Sequence, residues 1–139
     1  MNEIGEKLVF VKTITPELID IFSAFSGAFN PMHTGADFTG RAEVEKKLGI
    51  NSGDRIAHGL LYASLISAPL WRLGGDGAIF GELKGLRFMS PVQLGDTISV
   101  ELEVAAKEGR KLILNVRYRN QEDKDVIKPT QAILFVRQP

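Results

Sequence analysis

The sequence contains no cysteine. Without thiols the chain forms no disulfide, no thiolate nucleophile and no cysteine-ligated metal centre, so a reducing, cytoplasmic location is expected. The chain also lacks an excess of either charge, because 17 Lys and Arg residues balance 17 Asp and Glu residues. A neutral chain exerts no net field on nucleic acid or on an anionic membrane surface. We therefore expect neither as a partner, and any anionic ligand must be bound locally.

Long apolar runs are missing as well. The most apolar stretch, residues 56–71, is too short to span a bilayer and is interrupted by His58, Gly59 and Pro69. The first residues, MNEIGEK, lack the basic and then apolar pattern of a signal peptide, so export is not expected. With 44% hydrophobic and 24% charged residues, the composition is typical of one globular domain, which we assign to residues 1–139.

Helix signals occupy the first half of the chain. After a short strand predicted at residues 8–12, Thr15 is suited to cap a helix over residues 16–26 that begins with proline and glutamate. Residues 28–35 are predicted to form an ordered loop, and residues 41–48 a polar helix.

Residues 56–73 predict a second long helix that is apolar nearly all round. Such a helix lies inside a protein, so we expect it to be the most buried element. Pro69 is expected to kink or end it, because proline lacks the N–H that an interior helical position needs.

The second half of the chain predicts strands. Apolar and polar residues alternate in several runs separated by short turns. The predicted strands cover residues 79–89, 98–104, 112–118 and 126–136. Short connections favour antiparallel pairing, and the apolar face of the sheet needs a cover, which the buried helix supplies. The predicted class is α+β, with an antiparallel sheet wrapped around one helix.

Three segments resemble the MaoC-like family of (R)-specific enoyl-CoA hydratases and 3-hydroxyacyl-CoA dehydratases. Residues 25–33, FSGAFNPMH, resemble the family's motif S-G-D-x-N-P-hydrophobic-H except at Ala28. Residues 56–67, IAHGLLYASLIS, resemble its central-helix entry, and residues 86–97, LRFMSPVQLGDT, resemble its strand-turn-strand block. The resemblance implies a hot-dog fold, in which the sheet wraps around one long central helix.

The resemblance also implies catalytic roles. In that family a histidine and a carboxylate hold one water against the β-carbon of a trans-2-enoyl thioester. The histidine corresponds to His33, whereas the carboxylate position holds Ala28. The backbone N–H that polarises the thioester carbonyl corresponds to Gly59. Ser67 corresponds to a serine that orients the absent carboxylate. His33, Gly59 and Ser67 are therefore the predicted catalytic residues.

Asn30, His58 and Ser64 are predicted to bind substrate. Each has a structural alternative: Asn30 stabilises a turn, His58 caps the helix or bonds the backbone, and Ser64 and Ser67 bond carbonyls one turn back.

Other groups were weighed for the missing carboxylate and for metal binding. Asp37 and Asp54 are the carboxylates nearest the motif in sequence, although neither has the family's spacing. His33, His58 and Asp37 match no recurrent set of metal ligands, so no metal site is predicted. No cofactor is expected beyond the thioester carrier of the substrate.

The leading hypothesis is a lyase that hydrates an enoyl-CoA or dehydrates a 3-hydroxyacyl-CoA, acting on an acyl-CoA substrate as a homodimer or a dimer of dimers. One alternative is a non-catalytic acyl-thioester binder that kept the pocket. The other is a hot-dog thioesterase whose carboxylate comes from elsewhere in the chain.

Overall fold

The computed structural model describes residues 2–137. Five strands form one antiparallel sheet in the order β1-β3-β4-β5-β2. They are β1 (Lys7–Thr13), β2 (Ile79–Lys84), β3 (Thr97–Glu108), β4 (Lys111–Arg119) and β5 (Asp125–Phe135). The helices are α1 (Pro16–Ser26), α2 (Pro31–Thr34), α3 (Arg41–Leu48), α4 (Gly59–Ala63) and α5 (Ser67–Gly74). The assignment of residues 1–139 to one domain stays a prediction, and Met1, Gln138 and Pro139 lie outside the described residues.

The central strands β3 and β4 bury one face of the sheet. Alternate residues of β3 and β4 point into the core, while their polar neighbours are partly exposed. Val100, Leu102 and Val104 of β3 and Leu112, Leu114 and Val116 of β4 are each at most 1% exposed. This is the alternation that the sequence predicts. The predicted α+β class with an antiparallel sheet is confirmed.

Helix α1 follows its predicted start and end. Thr15 caps it by accepting a hydrogen bond from the Leu18 N–H at 3.3 Å, and Pro16 occupies the first helical position. Gly27 ends the helix with a φ of 78°, a left-handed conformation that glycine adopts without steric cost. The loop after Gly27 therefore leaves the helix in a fixed direction.

The predicted continuous helix over residues 56–73 is wrong. Helix α4 begins only at Gly59, a 3₁₀ turn occupies Ser64–Ile66, and α5 follows. The first predicted residues are extended, because Ile56 forms a bridge with Gln93 and the Ala57 N–H donates to the Val92 carbonyl. The break before α5 has a local cause. Pro69 cannot donate to the carbonyl four residues earlier, and its ring crowds that carbonyl.

The prediction that this segment is the most buried element is also wrong. Leu61, Ile66 and Leu70 are buried against the sheet, but Leu60 is 62% and Trp71 60% exposed. The segment lies across one face of the sheet, so only one of its own faces is covered within the chain. Most of the completely buried side chains belong to strands β3, β4 and β5.

Strand β2 is shorter than the predicted run over residues 79–89. It ends at Lys84, and only an isolated bridge between Phe88 and Ile127 continues the pairing. The loop that follows β2 therefore carries Phe88 and Met89, both substantially exposed. Within residues 2–137, no helix combines the length and the apolar character needed to cross a bilayer.

Candidate functional site

A cleft of about 420 Å³ lies between α2, α4 and the loop after β2. His33 and Gly59, 26 positions apart in the chain, both line it, as expected of two groups that act on one thioester. Most of the lining is apolar, and the polar side chains in it belong to His33, Tyr62 and Ser90. The full lining comprises His33, Leu48, Ile56, Ala57, Gly59, Leu60, Tyr62, Phe88, Met89, Ser90, Pro91 and Val92. A lining of this kind suits an acyl chain with a few polar contacts at one end.

A short helix inside the predicted loop presents His33. The Asn30 side chain caps α2 by accepting a hydrogen bond from the Met32 N–H at 3.0 Å, and Pro31 occupies the first helical position. This contact matches the turn-stabilising alternative for Asn30, whose predicted binding of substrate stays a prediction. The cap and the proline together fix where His33 leaves the backbone.

The ring of His33 is oriented by a backbone carbonyl. Its Nδ1 lies 2.8 Å from the Ile56 carbonyl oxygen, which only accepts, so Nδ1 carries the proton and Nε2 keeps its lone pair. Burial lowers the pKa of His33; the bond to Ile56 opposes this effect, and the nearby His58 adds to the lowering. His33 is therefore neutral near pH 7, with Nε2 free to accept a proton.

His58 supports this arrangement from inside the protein. It is 5% exposed and stacks on His33 with the ring centroids 3.8 Å apart. Its Nε2 lies 3.0 Å from the Ala28 carbonyl oxygen and 3.2 Å from Ser23 Oγ, whereas its buried Nδ1 has no partner among residues 2–137. His58 thus contacts the backbone, as its structural alternative states. It does not line the cleft, and its predicted contact with substrate stays a prediction.

Gly59 begins α4, so its N–H has no acceptor within the helix. A Cβ added at Gly59 would lie 2.6 Å from two ring carbons of Phe88, which is closer than real contacts allow. Any side chain at this position would therefore have to displace the Phe88 ring, which is 44% exposed. Phe88 consequently flanks the backbone N–H that the resemblance assigns to the thioester carbonyl.

We predict that Gly59→Ala impairs turnover by displacing the Phe88 ring, and that Phe88→Ala in the same chain restores part of the loss. The added methyl removes no hydrogen-bond donor, so the defect comes from packing, of the order of 1–3 kcal/mol. Rates and melting temperatures of both single variants and the double variant measure the coupling. Strictly additive effects would show that the two residues do not compete for the same space.

The two predicted serines lie elsewhere. Ser64 Oγ donates to the Leu61 carbonyl at 2.6 Å, which is its structural alternative. Ser67 is exposed, has no side-chain hydrogen bond within the described part of the chain, and lines a separate cavity of about 120 Å³ with Trp71 and Phe80. Neither serine lines the His33 cleft. Their predicted roles stay predictions.

No carboxylate lines the cleft. Asp37 accepts a hydrogen bond from the Phe38 N–H and Asp54 accepts one from the Asn51 N–H, both at 2.9 Å, so each stabilises its own turn. Neither aspartate supplies the group that is absent at Ala28. Within residues 2–137, no three His, Asp or Glu side chains are placed to share a metal ion.

A buried ion pair holds the segment that carries His33. The Arg41 guanidinium bonds Glu45 at 2.9 Å and donates to the carbonyls of Pro31, Ala36 and Asp54 at 2.7–3.0 Å. Arg55 donates to the His33 carbonyl at 2.7 Å. These bonds satisfy the buried charges and fix the backbone around His33. In the sequence, the spacing of Arg41 and Glu45 by four residues permits such a pair, but no local pattern indicates the distant carbonyls that Arg41 bonds.

Two aromatic residues of the cleft were also missed. Tyr62 and Phe88 pack edge to face, with ring centroids 5.7 Å apart and an interplanar angle of 85°. Tyr62 lies three residues after Gly59, so one face of α4 carries both. That spacing was available in the sequence, but an aromatic residue at helical spacing is usually part of a core.

Comparisons with known proteins agree with the geometry. Residues 1–126 match the family described as a MaoC like domain. The chain is 38% identical over 104 residues to the 3-hydroxybutyryl-CoA dehydratase of Methylorubrum extorquens, covering 74% of this chain but only 60% of that protein. It is 35% identical over 114 residues to the (R)-specific enoyl-CoA hydratase of Rhodospirillum rubrum, covering 81% of this chain and 73% of that protein.

The fold is shared with a solved enzyme. The unliganded R-hydratase PhaJ1 from Pseudomonas aeruginosa superposes with a TM-score of 0.82 at 33% identity, covering 99% of this chain and 83% of that one. The hot-dog fold expected from the sequence is thereby confirmed, with the interrupted helical segment described above in place of one long helix.

Proposed function

Because the chain belongs to the MaoC-like domain family, we propose that it is an (R)-specific enoyl-CoA hydratase or 3-hydroxyacyl-CoA dehydratase. It adds water to, or removes water from, the 2,3 bond of an acyl-CoA thioester. The observation that carries the proposal is that one apolar cleft contains a neutral histidine and the Gly59 N–H. Within residues 2–137, neither His33 Nε2 nor the Gly59 N–H has a hydrogen-bond partner. Hydration needs a proton acceptor for water and a donor for the thioester oxygen, and this cleft contains both.

The chemistry requires one base that acts twice. His33 Nε2 takes a proton from water as the water oxygen bonds to C3, and the electrons of the double bond move toward the thioester oxygen. The Gly59 N–H donates to that oxygen as its charge develops. Protonated His33 then delivers the same proton to C2, so H and OH are added and His33 is regenerated. Dehydration follows the reverse order.

Ala28 slows this reaction without removing the site. A second acid or base group at that position would share the proton transfers with His33, and its absence costs on the order of 10² to 10⁴ in rate. Binding of the acyl chain and polarisation of its carbonyl use the cleft lining and Gly59 instead. We therefore expect slow turnover together with intact binding.

The reaction needs no metal or redox cofactor, because every step is a proton transfer or a bond to water and no electron is lost.

The acyl-CoA thioester is the proposed partner, and a homodimer or dimer of dimers is the proposed assembly. Strand β2 lies at one edge of the sheet with Ile79 and Phe80 exposed, and a second copy would cover these side chains. The cytoplasmic location stays a prediction.

The pH dependence should show a histidine that is neutral in the resting protein. Since burial places the pKa of His33 below the ordinary 6.5, we predict that kcat/KM reaches half of its plateau value at a pH below 6.5. It should fall about tenfold per pH unit only below the pKa of His33. Stability shifts in the same direction, because the unfolded chain binds this proton more readily and the native state loses stability as the pH falls. An acid limb centred above 6.5 would contradict the assignment.

Incubation with crotonyl-CoA tests the proposal. Loss of the double bond and formation of (R)-3-hydroxybutyryl-CoA are followed by chromatography, and free CoA is followed separately with a thiol reagent. The proposal predicts the hydrated thioester without free CoA. Release of free CoA would indicate a thioesterase, and binding without any turnover would indicate a non-catalytic acyl-thioester binder.

A further inference from the structure

The chain has two tyrosines, and they differ in one respect. The buried Tyr118 donates its hydroxyl hydrogen to the Ala63 carbonyl at 2.7 Å. Tyr62 is 3% exposed as a residue, but its hydroxyl oxygen stays accessible and has no hydrogen-bond partner within residues 2–137. A phenol O–H that opens onto a cleft and has no protein partner is free to donate to a molecule bound there. The Tyr62 hydroxyl is therefore available to a ligand in the cleft that Tyr62 lines.

The surroundings of Tyr62 indicate where that ligand lies. Tyr62 lines the cleft with His33 and Gly59, and it follows Gly59 by three residues on the same face of α4. Helical side chains lean toward the helix N-terminus, so the Tyr62 ring leans toward Gly59. The Phe88 ring joins the two positions, since it contacts the Gly59 backbone and packs edge to face on Tyr62.

The phenol at this position acts as a donor. Burial raises the pKa of Tyr62 to about 12, so the hydroxyl keeps its proton at every pH at which the enzyme would work. A group of this kind neither takes a proton from water nor carries charge. It offers one O–H to an acceptor in the cleft.

We propose that the Tyr62 hydroxyl donates a second hydrogen bond to the thioester carbonyl oxygen, beside the Gly59 N–H. The inference rests on the proposed function, because the acceptor is the carbonyl of an enoyl thioester. The Tyr62 bond strengthens as negative charge develops on that oxygen, so Tyr62 lowers the barrier without transferring a proton. Tyr62 thereby joins His33 and Gly59 as a catalytic residue.

Tyr62→Phe removes the hydroxyl and keeps the edge-to-face packing on Phe88. We expect kcat and kcat/KM for crotonyl-CoA hydration to fall together by about 10², with KM nearly unchanged, because the lost bond acts chiefly in the transition state. Tyr118→Phe is the matched control. It loses a buried bond to the helix backbone, so it should lower the melting temperature while the folded protein keeps its kcat.

A spectroscopic readout separates a bond to the carbonyl from a purely structural role. The probe is crotonyl-pantetheine with ¹³C at the thioester carbonyl, observed by isotope-edited infrared difference spectroscopy. In the natural chain the carbonyl stretch of the bound probe should lie below its value in water. Tyr62→Phe should return part of that shift, and Tyr118→Phe should return none.

The outcomes distinguish this inference from the proposed function. A natural chain that hydrates crotonyl-CoA, with Tyr62→Phe equal to it in kcat and carbonyl stretch, would overturn the role of Tyr62 alone. A natural chain that binds no crotonyl-pantetheine and hydrates no crotonyl-CoA would overturn both. If the natural chain binds the probe but turnover is too slow to follow, the change in carbonyl stretch decides the assignment.

Discussion

Replacing His33 by asparagine is expected to abolish water addition while leaving the fold intact. The side-chain amide nitrogen of asparagine can take the place of His33 Nδ1, which lies 2.8 Å from the Ile56 carbonyl oxygen. Asparagine has no counterpart of Nε2, so it cannot accept the proton from water. A positioned acid or base group contributes on the order of 10² to 10⁴ in rate. No carboxylate lines the cleft to share the task, so the loss should reach the upper end of that range or the assay background.

The control for this variant is thermal stability together with thioester binding. His33→Asn and His33→Ala should both bind crotonyl-CoA, because the apolar lining and Gly59 are unchanged. Their melting temperatures separate a lost base from a lost fold. Hydration at the natural rate by either folded variant would show that His33 is not the base, and would direct attention to a carboxylate outside the cleft.

Introducing a carboxylate at position 28 is expected to accelerate hydration. Ala28 lies next to the histidine pair, since its carbonyl accepts a hydrogen bond from His58, and His58 stacks on His33. The resemblance to the MaoC-like motif places a carboxylate at this position. Ala28→Asp should therefore raise kcat by up to about 10² to 10⁴, the range typical of one positioned acid or base group. The measurement is the rate of crotonyl-CoA hydration by the natural chain and the variant.

Ala28→Asn is the matched control, because asparagine has nearly the same shape as aspartate but no titratable group. It should gain little rate. A folded Ala28→Asp variant whose hydration rate rises no more than that of Ala28→Asn would have one of two explanations. Either the cleft rejects enoyl thioesters, or proton transfer already proceeds at full rate without a carboxylate at position 28. Binding of crotonyl-CoA to the natural chain separates these two explanations.

The role of Ser67 is tested in the same background. If Ser67 orients a carboxylate at position 28, then Ser67→Ala should cost more rate in the Ala28→Asp chain than in the natural chain. Ser67 lines a separate cavity in the structure, so equal costs in both chains would assign it to packing near Trp71 instead.

Local rules in the sequence predicted much of the fold. The cap at Thr15, the end of α1 before Gly27 and the alternation in β3 and β4 each depend on a few neighbouring residues, and each was predicted. The central helical segment was not, because its apolar pattern does not show which of its faces the sheet will cover. The exposed Leu60 and Trp71 satisfy the same pattern as the buried Leu61.

The candidate site was likewise predicted only in part. The resemblance located His33 and Gly59, and the topology of the chain brings them to one cleft. The carbonyl that orients His33 belongs to Ile56, 23 positions away, and the ring that covers Gly59 belongs to Phe88. Such partners are set by tertiary packing between distant segments, so no local pattern reveals them. That the Tyr62 hydroxyl has no partner within residues 2–137 likewise depends on the folded structure.

The central claim is that His33 catalyses the addition of water to C3 of an enoyl thioester. The position of an ¹⁸O label in the product tests this claim most directly. The natural chain and His33→Asn are incubated with crotonyl-CoA in H₂¹⁸O, and the products are examined by mass spectrometry. Hydration by His33 predicts ¹⁸O on C3 of an intact 3-hydroxybutyryl-CoA thioester with the natural chain, and unlabelled crotonyl-CoA with His33→Asn. Label in a free carboxylate, or equal labelling of C3 by both proteins, would contradict it.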